Sequence, residues 1–285
     1  MASSASGTVL ITGCSSGIGR ATAERLAQSR FTVYATARRL DAIEPLAAQG
    51  CRLLALDVCD EHSMSAAVKA VEDAEGAVDV LVNNAGYSQS GAVEEVPIEQ
   101  VRRQFETNVF GLVRLTQLVL PGMRRQGSGK VVNISSMGGR LTFPGGGFYH
   151  GTKHAVEAIS DALRFEVRGF GIDVIVIEPG LIKTSFGDTA VESIHDATPS
   201  EGPYAEFNAA VANATAGAYE GPLARLGGGP ETVAKTIEKA IRARRPKARY
   251  PVTPSARLIL MQRRLLPDRG WDAFLRSQFP QPRGS

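Results

Sequence analysis

The sequence predicts an α/β fold, a doubly wound parallel sheet, and three observations carry that expectation. Short β-branched runs read as buried strands, amphipathic stretches between them are long enough for crossover helices, and the two kinds of segment alternate. Near-continuous apolar strands belong to a sheet covered on both faces, and the alternation requires right-handed crossovers. The strand-like runs are residues 8–12, 31–36, 52–56, 78–82, 130–134 and 172–177, with a weaker seventh at 249–252. Between them, 17–29 and 64–74 show the helical period. A chain of 285 residues that is 43% hydrophobic can bury one large core, and no repeat or charge-rich linker divides it.

The expected organisation is therefore one domain over 8–252, a disordered N-terminus at 1–7 and a basic amphipathic C-terminal extension at 253–285. An insertion at 185–229, rich in Ala and Gly, carries Phe186, Tyr204, Phe207 and Tyr219. It reads either as a substrate lid or as a small helical subdomain starting near Pro203.

Composition excludes several classes of function. No apolar run reaches the eighteen or so residues that span a bilayer, and the first residues have neither a basic flank nor a signal core, so a cytoplasmic location is the default. Cys14, Cys51 and Cys59 form no C-x-x-C pair and read as reduced and mostly structural. His62, His150, His154 and His195 offer no metal-ligand spacing, so no metal is expected. The net charge of +3 is uneven: residues 242–285 hold 11 Lys and Arg against Asp268 and Asp272, a local +9. Nucleic acid is not an expected partner. The tail repeats Leu258, Met261 and Leu265 beside Arg257, Arg263 and Arg264, then Trp271, Phe274 and Leu275 after Pro267. Two short helices with buried apolar stripes fit that pattern, covering the substrate mouth, meeting an oligomer partner or attracting an anionic membrane surface.

The first strand runs into Thr12-Gly13-Cys14-Ser15-Ser16-Gly17-Ile18-Gly19 and then into a helical pattern. Glycines there allow a tight turn and close backbone approach, while free N–H groups and the helix dipole favour a pyrophosphate. Further on, Tyr149 and Lys153 stand four residues apart, on one face of a helix. A tyrosine titrates near ~10, too high for neutral-pH proton transfer, and a neighbouring ammonium lowers it. Ser136, at the end of the fifth strand and 13 residues before Tyr149, can fold beside it and is preferred on spacing to Ser135.

With these motifs in order, residues from about 8 to 184 resemble the short-chain dehydrogenase/reductase family, and residues 12–19 and 34–38 are similar to its hydroxysteroid and retinol dehydrogenase branch. The resemblance implies a Rossmann fold and hydride transfer between a nicotinamide ring and a carbonyl or alcohol carbon. It places the cofactor turn at Gly13, Gly17 and Gly19, an adenine contact at Asp57 and Val58, and the N-N-A-G segment at Asn83-Asn84-Ala85-Gly86. It makes Tyr149 the acid or base and Ser136 the substrate-oxygen donor. Lys153 holds ribose and tunes Tyr149, and Asn108 holds a relay water. The nicotinamide carboxamide falls to Pro179-Gly180-Leu-Ile182-Lys-Thr184.

The second strand ends Ala35-Thr36-Ala37-Arg38-Arg39, with no carboxylate for a free ribose hydroxyl, so the expected cofactor is NADP(H), bound through Arg38 with Ser15 or Arg39. Tyr87, Gln89, Met137, Phe143, Phe148 and Phe186 are the candidate pocket, which suits a hydrophobic ketone or secondary alcohol. A homodimer or homotetramer is expected. Two other readings stay open: an epimerase or enoyl reductase on the same fold, and a non-catalytic NADP-sensing scaffold.

Overall fold

The computed structural model describes residues 7–199, 201–218 and 225–282. Of the expected disordered N-terminus at 1–7, residues 1–6 lie outside the described residues, as does Tyr219, whereas the Gly7 carbonyl accepts from the Thr32 N–H (3.1 Å).

Seven parallel strands form one sheet in the order β3-β2-β1-β4-β5-β6-β7. They are β1 (Thr8–Ile11), β2 (Thr32–Ala37), β3 (Arg52–Ala55), β4 (Val80–Asn83), β5 (Gly129–Ile134), β6 (Ile172–Glu178) and β7 (Arg249–Pro251). The weak seventh run is thus a strand, paired to β6 through Ile177 and Tyr250. Side chains alternate across the pleat. Val9 and Ile11 enter one half of the core with Val33, Val82 and Ile177, whereas Leu10 enters the other with Leu81, Val131 and Val174.

Helices cover both faces. On the first lie α1 (Gly17–Ala27) and α8 (Pro230–Arg242), packed on each other. On the second lie α2 (Glu61–Glu75), α4 (Gly111–Gln126) and α5 (Gly147–Glu166), with the short α3 (Ile98–Phe105) leading into α4. The strand order reverses between β1 and β4, and the carboxyl ends on either side of that point open the crevice where ligands bind in such sheets.

Among its described residues the insertion holds two helices, α6 (Phe186–Ala197) and α7 (Ala205–Gly217), which share a small core of Ile194, Val211 and Ala212. Helical structure therefore begins at Phe186 rather than near Pro203, which sits in the turn between the helices. The tail forms α9 (Pro254–Leu265) and α10 (Asp268–Gln278), as its periodicity predicts. Among the described residues no helix is long and apolar enough to cross a membrane.

Candidate active site

A single cleft of about 1440 Å³ runs over the carboxyl ends of the strands, from the glycine turn to the tail helices. Its floor at one end is the turn after β1. Gly13 has φ +71° and Gly17 φ +55°, conformations that L side chains avoid. Gly19 meets a different demand, because a Cβ there would collide with the Gly13 carbonyl. Gly19 thus packs the turn, and Gly13, Ser15, Ser16, Gly17 and Ile18 line the cleft. Ser16 precedes α1 without capping it through its side chain, which leaves the first-turn N–H groups to an anion. Two clips hold the turn in place. Asn84 Nδ2 donates to the carbonyls of Thr12 (2.9 Å) and Gly13 (3.1 Å), and Thr12 Oγ1 accepts from the N–H groups of Asn84 and Ala85. The Thr12 hydroxyl was not legible from sequence, where it reads as one more β-branched strand residue. Cys14 is buried and its thiol is pushed up to about 12 by that burial, so it is structural.

Around this floor the cleft is lined by Arg38, Asp57, Val58, Ala85 and Gly86, which the sequence analysis assigns to the cofactor. Arg38 stands at the end of β2 and forms no ion pair among the described residues. Arg39 does not line the cleft. It turns outward to Asp41 (2.9 Å), because neighbouring residues at a strand end point in opposite directions. Pro179, Gly180, Ile182 and Thr184, after β6, form the opposite wall.

Tyr149, Lys153 and Ser136 come to the centre of the same cleft. Tyr149 and Lys153 rise from α5, with Lys153 Nζ 5.8 Å from the Tyr149 ring centre. The ammonium donates to the Ile134 carbonyl (2.8 Å) at the end of β5. Burial holds Lys153 down to about 8, against the opposing pull of the Glu157 carboxylate one turn along α5. Ser136 caps the 3-10 turn Met137–Gly139, its Oγ accepting from the Gly138 N–H (3.0 Å). Ser135 also borders the cleft but is buried.

Asn108 lies in a π-helical turn, Glu106–Phe110, between α3 and α4. Such widened turns recur at functional sites because they re-aim side chains. Here Asn108 Nδ2 donates to the Tyr87 carbonyl (2.9 Å) and to Thr152 Oγ1 (3.1 Å), and Oδ1 accepts from the Tyr87 N–H. A Cβ on Gly86 would stand 3.0 Å from Asn108 Oδ1 and 3.8 Å from Lys153 Nζ, so these two groups flank Gly86.

Of the six candidate pocket residues, Tyr87, Gln89, Met137, Phe143 and Phe186 line the cleft. Phe148 does not. Its ring packs into a satellite core with Val96, Val101 and Ala197, because one step along α5 from Tyr149 turns a side chain by about 100°. Phe186 meets the Tyr149 ring at 5.4 Å. Sequence reasoning missed His150, which is buried against the cleft and held down to about 4 by burial. Its Nδ1 accepts from the Phe143 N–H (3.3 Å), fixing the loop before α5. The other omission is a charge cluster behind the site, built around the buried Glu157 and Glu178. Arg249 of β7 binds Glu157 (2.9 Å), Asp161 (2.7 Å) and Glu178 (3.4 Å), and Glu178 also meets Arg140 (3.4 Å). Among the described residues no group of acids, cysteines and histidines could hold a metal ion.

The seven-stranded parallel sheet flanked by helices agrees with the comparisons. Residues 7–194 match the short chain dehydrogenase family. The chain belongs to that family. A 3-ketodihydrosphingosine reductase of Bacteroides thetaiotaomicron is 41% identical to it, over 70% of this chain and 71% of the relative. An NADPH-dependent 3-dehydrocapnine reductase of Ornithobacterium rhinotracheale is 36% identical, over 92% and 94%. The solved structure of a short-chain dehydrogenase from Streptomyces avermitilis superposes with a TM-score of 0.80 at 36% identity, covering 96% of each chain. Like other short-chain dehydrogenases, this protein is an oxidoreductase acting on CH–OH groups of small molecules.

Proposed function

We propose that the protein is an NADPH-dependent reductase of hydrophobic ketones, working through Tyr149, Ser136, Lys153 and Asn108. The observation that carries this reading is a shared cleft: the three proton-handling side chains stand in the same cavity as the glycine turn and the Arg38 guanidinium. The residues present fit a 2′-phosphorylated dinucleotide. Gly13 and Gly17 bring bare backbone to the turn, and Arg38 supplies a cation where the preference for a free ribose hydroxyl would call for a carboxylate. The relative described as NADPH-dependent supports the same choice.

The bound cofactor supplies the hydride. Tyr149 gives its phenolic proton to the developing alkoxide, and Ser136 Oγ donates a hydrogen bond to the same oxygen, so negative charge never stands unsolvated. Lys153 favours the phenolate by charge and is aimed by its bond to the Ile134 carbonyl. Asn108, tied to Tyr87 and Thr152, keeps a polar path open beside Lys153 through which the proton is replaced. Phe143 and Phe186 make the adjoining wall apolar, which favours a hydrophobic substrate.

Cofactor titration tests the reading. Arg38→Ala should weaken NADPH by about 1–3 kcal/mol, the range for a lost charge-assisted contact, and leave NADH almost unchanged. Equal affinity of the unmutated protein for the two cofactors would refute the assignment to Arg38.

A further inference from the structure

The helix α9 has two faces with different fates. Its first turn is built into the site: Thr253 Oγ1 accepts from the Ala256 N–H (3.2 Å), and a Cβ on Gly180 would run into Thr253, Ser255 and Ala256. Farther along, Ile259 and Gln262 line the cleft. The outer face then presents Leu258, Met261 and Leu265, exposed at 43%, 55% and 74%. Their spacing of three and four residues sets them in one stripe. Leu258 belongs to both faces, since it is exposed and also lines the cleft. The apolar surface is thereby continuous from the solvent to the substrate cavity.

Charge says what covers this stripe. Arg257 and Arg264 flank it, both exposed, and neither forms an ion pair among the described residues. Arg263, by contrast, is engaged with Asp268 and lies over the Trp271 ring. The two tail helices and their junction, residues 254–279, carry Arg257, Arg263, Arg264, Arg269 and Arg276 against Asp268 and Asp272. An apolar stripe bordered by unpaired arginines is complementary to an anionic lipid surface, which takes side chains into its acyl boundary and cations at its headgroups. In a symmetric pair a second copy would set its own Arg257 and Arg264 against these two, like charge facing like.

We propose that α9 docks on anionic membrane surfaces and that an apolar ketone held in the lipid enters the cleft past Leu258. The inference rests on the reading of the cleft as the site of a hydrophobic ketone, but the docking is measured without turnover. The full chain is sedimented with phosphatidylcholine vesicles, with and without phosphatidylglycerol, at low and moderate salt. Binding should require phosphatidylglycerol and fall as salt rises, because exposed charges are screened beyond ~10 Å at 0.1 M salt. The variant R257Q/R264Q should bind about thirtyfold more weakly, since each arginine near an anionic surface contributes roughly fivefold. The variant M261Q/L265Q, which changes no residue lining the cleft, should lose at least about tenfold. Both should reduce a short water-soluble ketone as the parent does, yet fail with a long-chain ketone supplied in the vesicles. Parental binding by either variant would overturn the proposal, as would equal binding to vesicles without phosphatidylglycerol. A fall in oligomeric state of M261Q/L265Q would also overturn it, showing that a second copy covers the stripe. Absence of ketone reduction by the unmutated protein would count against the proposed function and leave the docking result standing.

Discussion

Replacing Arg249 by methionine keeps an unbranched apolar stem and removes the cation that three carboxylates share. The side chains of Glu157 and Glu178 are 6% and 2% exposed, and that of Asp161 is 45% exposed. The first two decide the outcome, because an exposed acid is rescued by water. Removing one partner from a buried ion pair costs roughly 3–5 kcal/mol, chiefly through the charge left behind. Arg140 still reaches Glu178, but it is itself 49% exposed and screened, so the expected loss is near the low end, about 3 kcal/mol. The sign with pH follows from the same charges. Glu178 is already raised above its ordinary value, by burial first and then by Glu157, and without Arg249 it rises further. A group whose folded value is raised stabilises below its unfolded value and loses that contribution as pH climbs. R249M should therefore be most destabilised near about pH 8 and recover much of the loss near about pH 5. Urea unfolding of parent and variant at both pH values measures this. A second variant, R249M/E178Q, should regain part of the loss at the higher pH. A loss below about 1 kcal/mol, or an equal loss at both pH values, would refute the reasoning.

Two further outcomes concern the cleft. Tyr149→Phe should cut turnover by a factor of about 100 or more while leaving cofactor affinity close to that of the parent, because only the proton donor is removed; near-normal turnover with the best ketone found would refute the assigned role. In the proposed function Lys153 works as the ammonium, favouring the Tyr149 phenolate and holding ribose, and burial holds it down to about 8. Cofactor affinity should thus decline as pH rises through that value, whereas K153R, which keeps its charge, should carry the decline to higher pH; isothermal titration across the range decides, and a flat profile would count against the ammonium.

What the sequence made legible follows the range over which its physics acts. The strands could be read because consecutive apolar residues face both layers, and the turn after β1 because positive φ at Gly13 and Gly17 is a local demand. Tyr149 and Lys153 could be paired because a helix brings fourth neighbours together. The errors arose one residue apart. Phe148 beside Tyr149, and Arg39 beside Arg38, differ from their neighbours only in direction, which composition does not encode.

The charge cluster was illegible for the opposite reason. Arg249 meets Glu157 and Asp161 across 92 and 88 residues, and no periodicity links a cation on an edge strand to acids in a helix. Yet the cluster connects the parts that were legible. Glu157 sits one turn from Lys153, and Glu178 is the last residue of β6 before Pro179 and Gly180 enter the cleft. Fixing both carboxylates to Arg249 holds α5 and the β6 turn at one distance from each other, on opposite sides of the place where a ligand must fit. An edge strand only three residues long adds little to the sheet through its backbone, so the guanidinium of Arg249 is the larger part of what β7 contributes to the site.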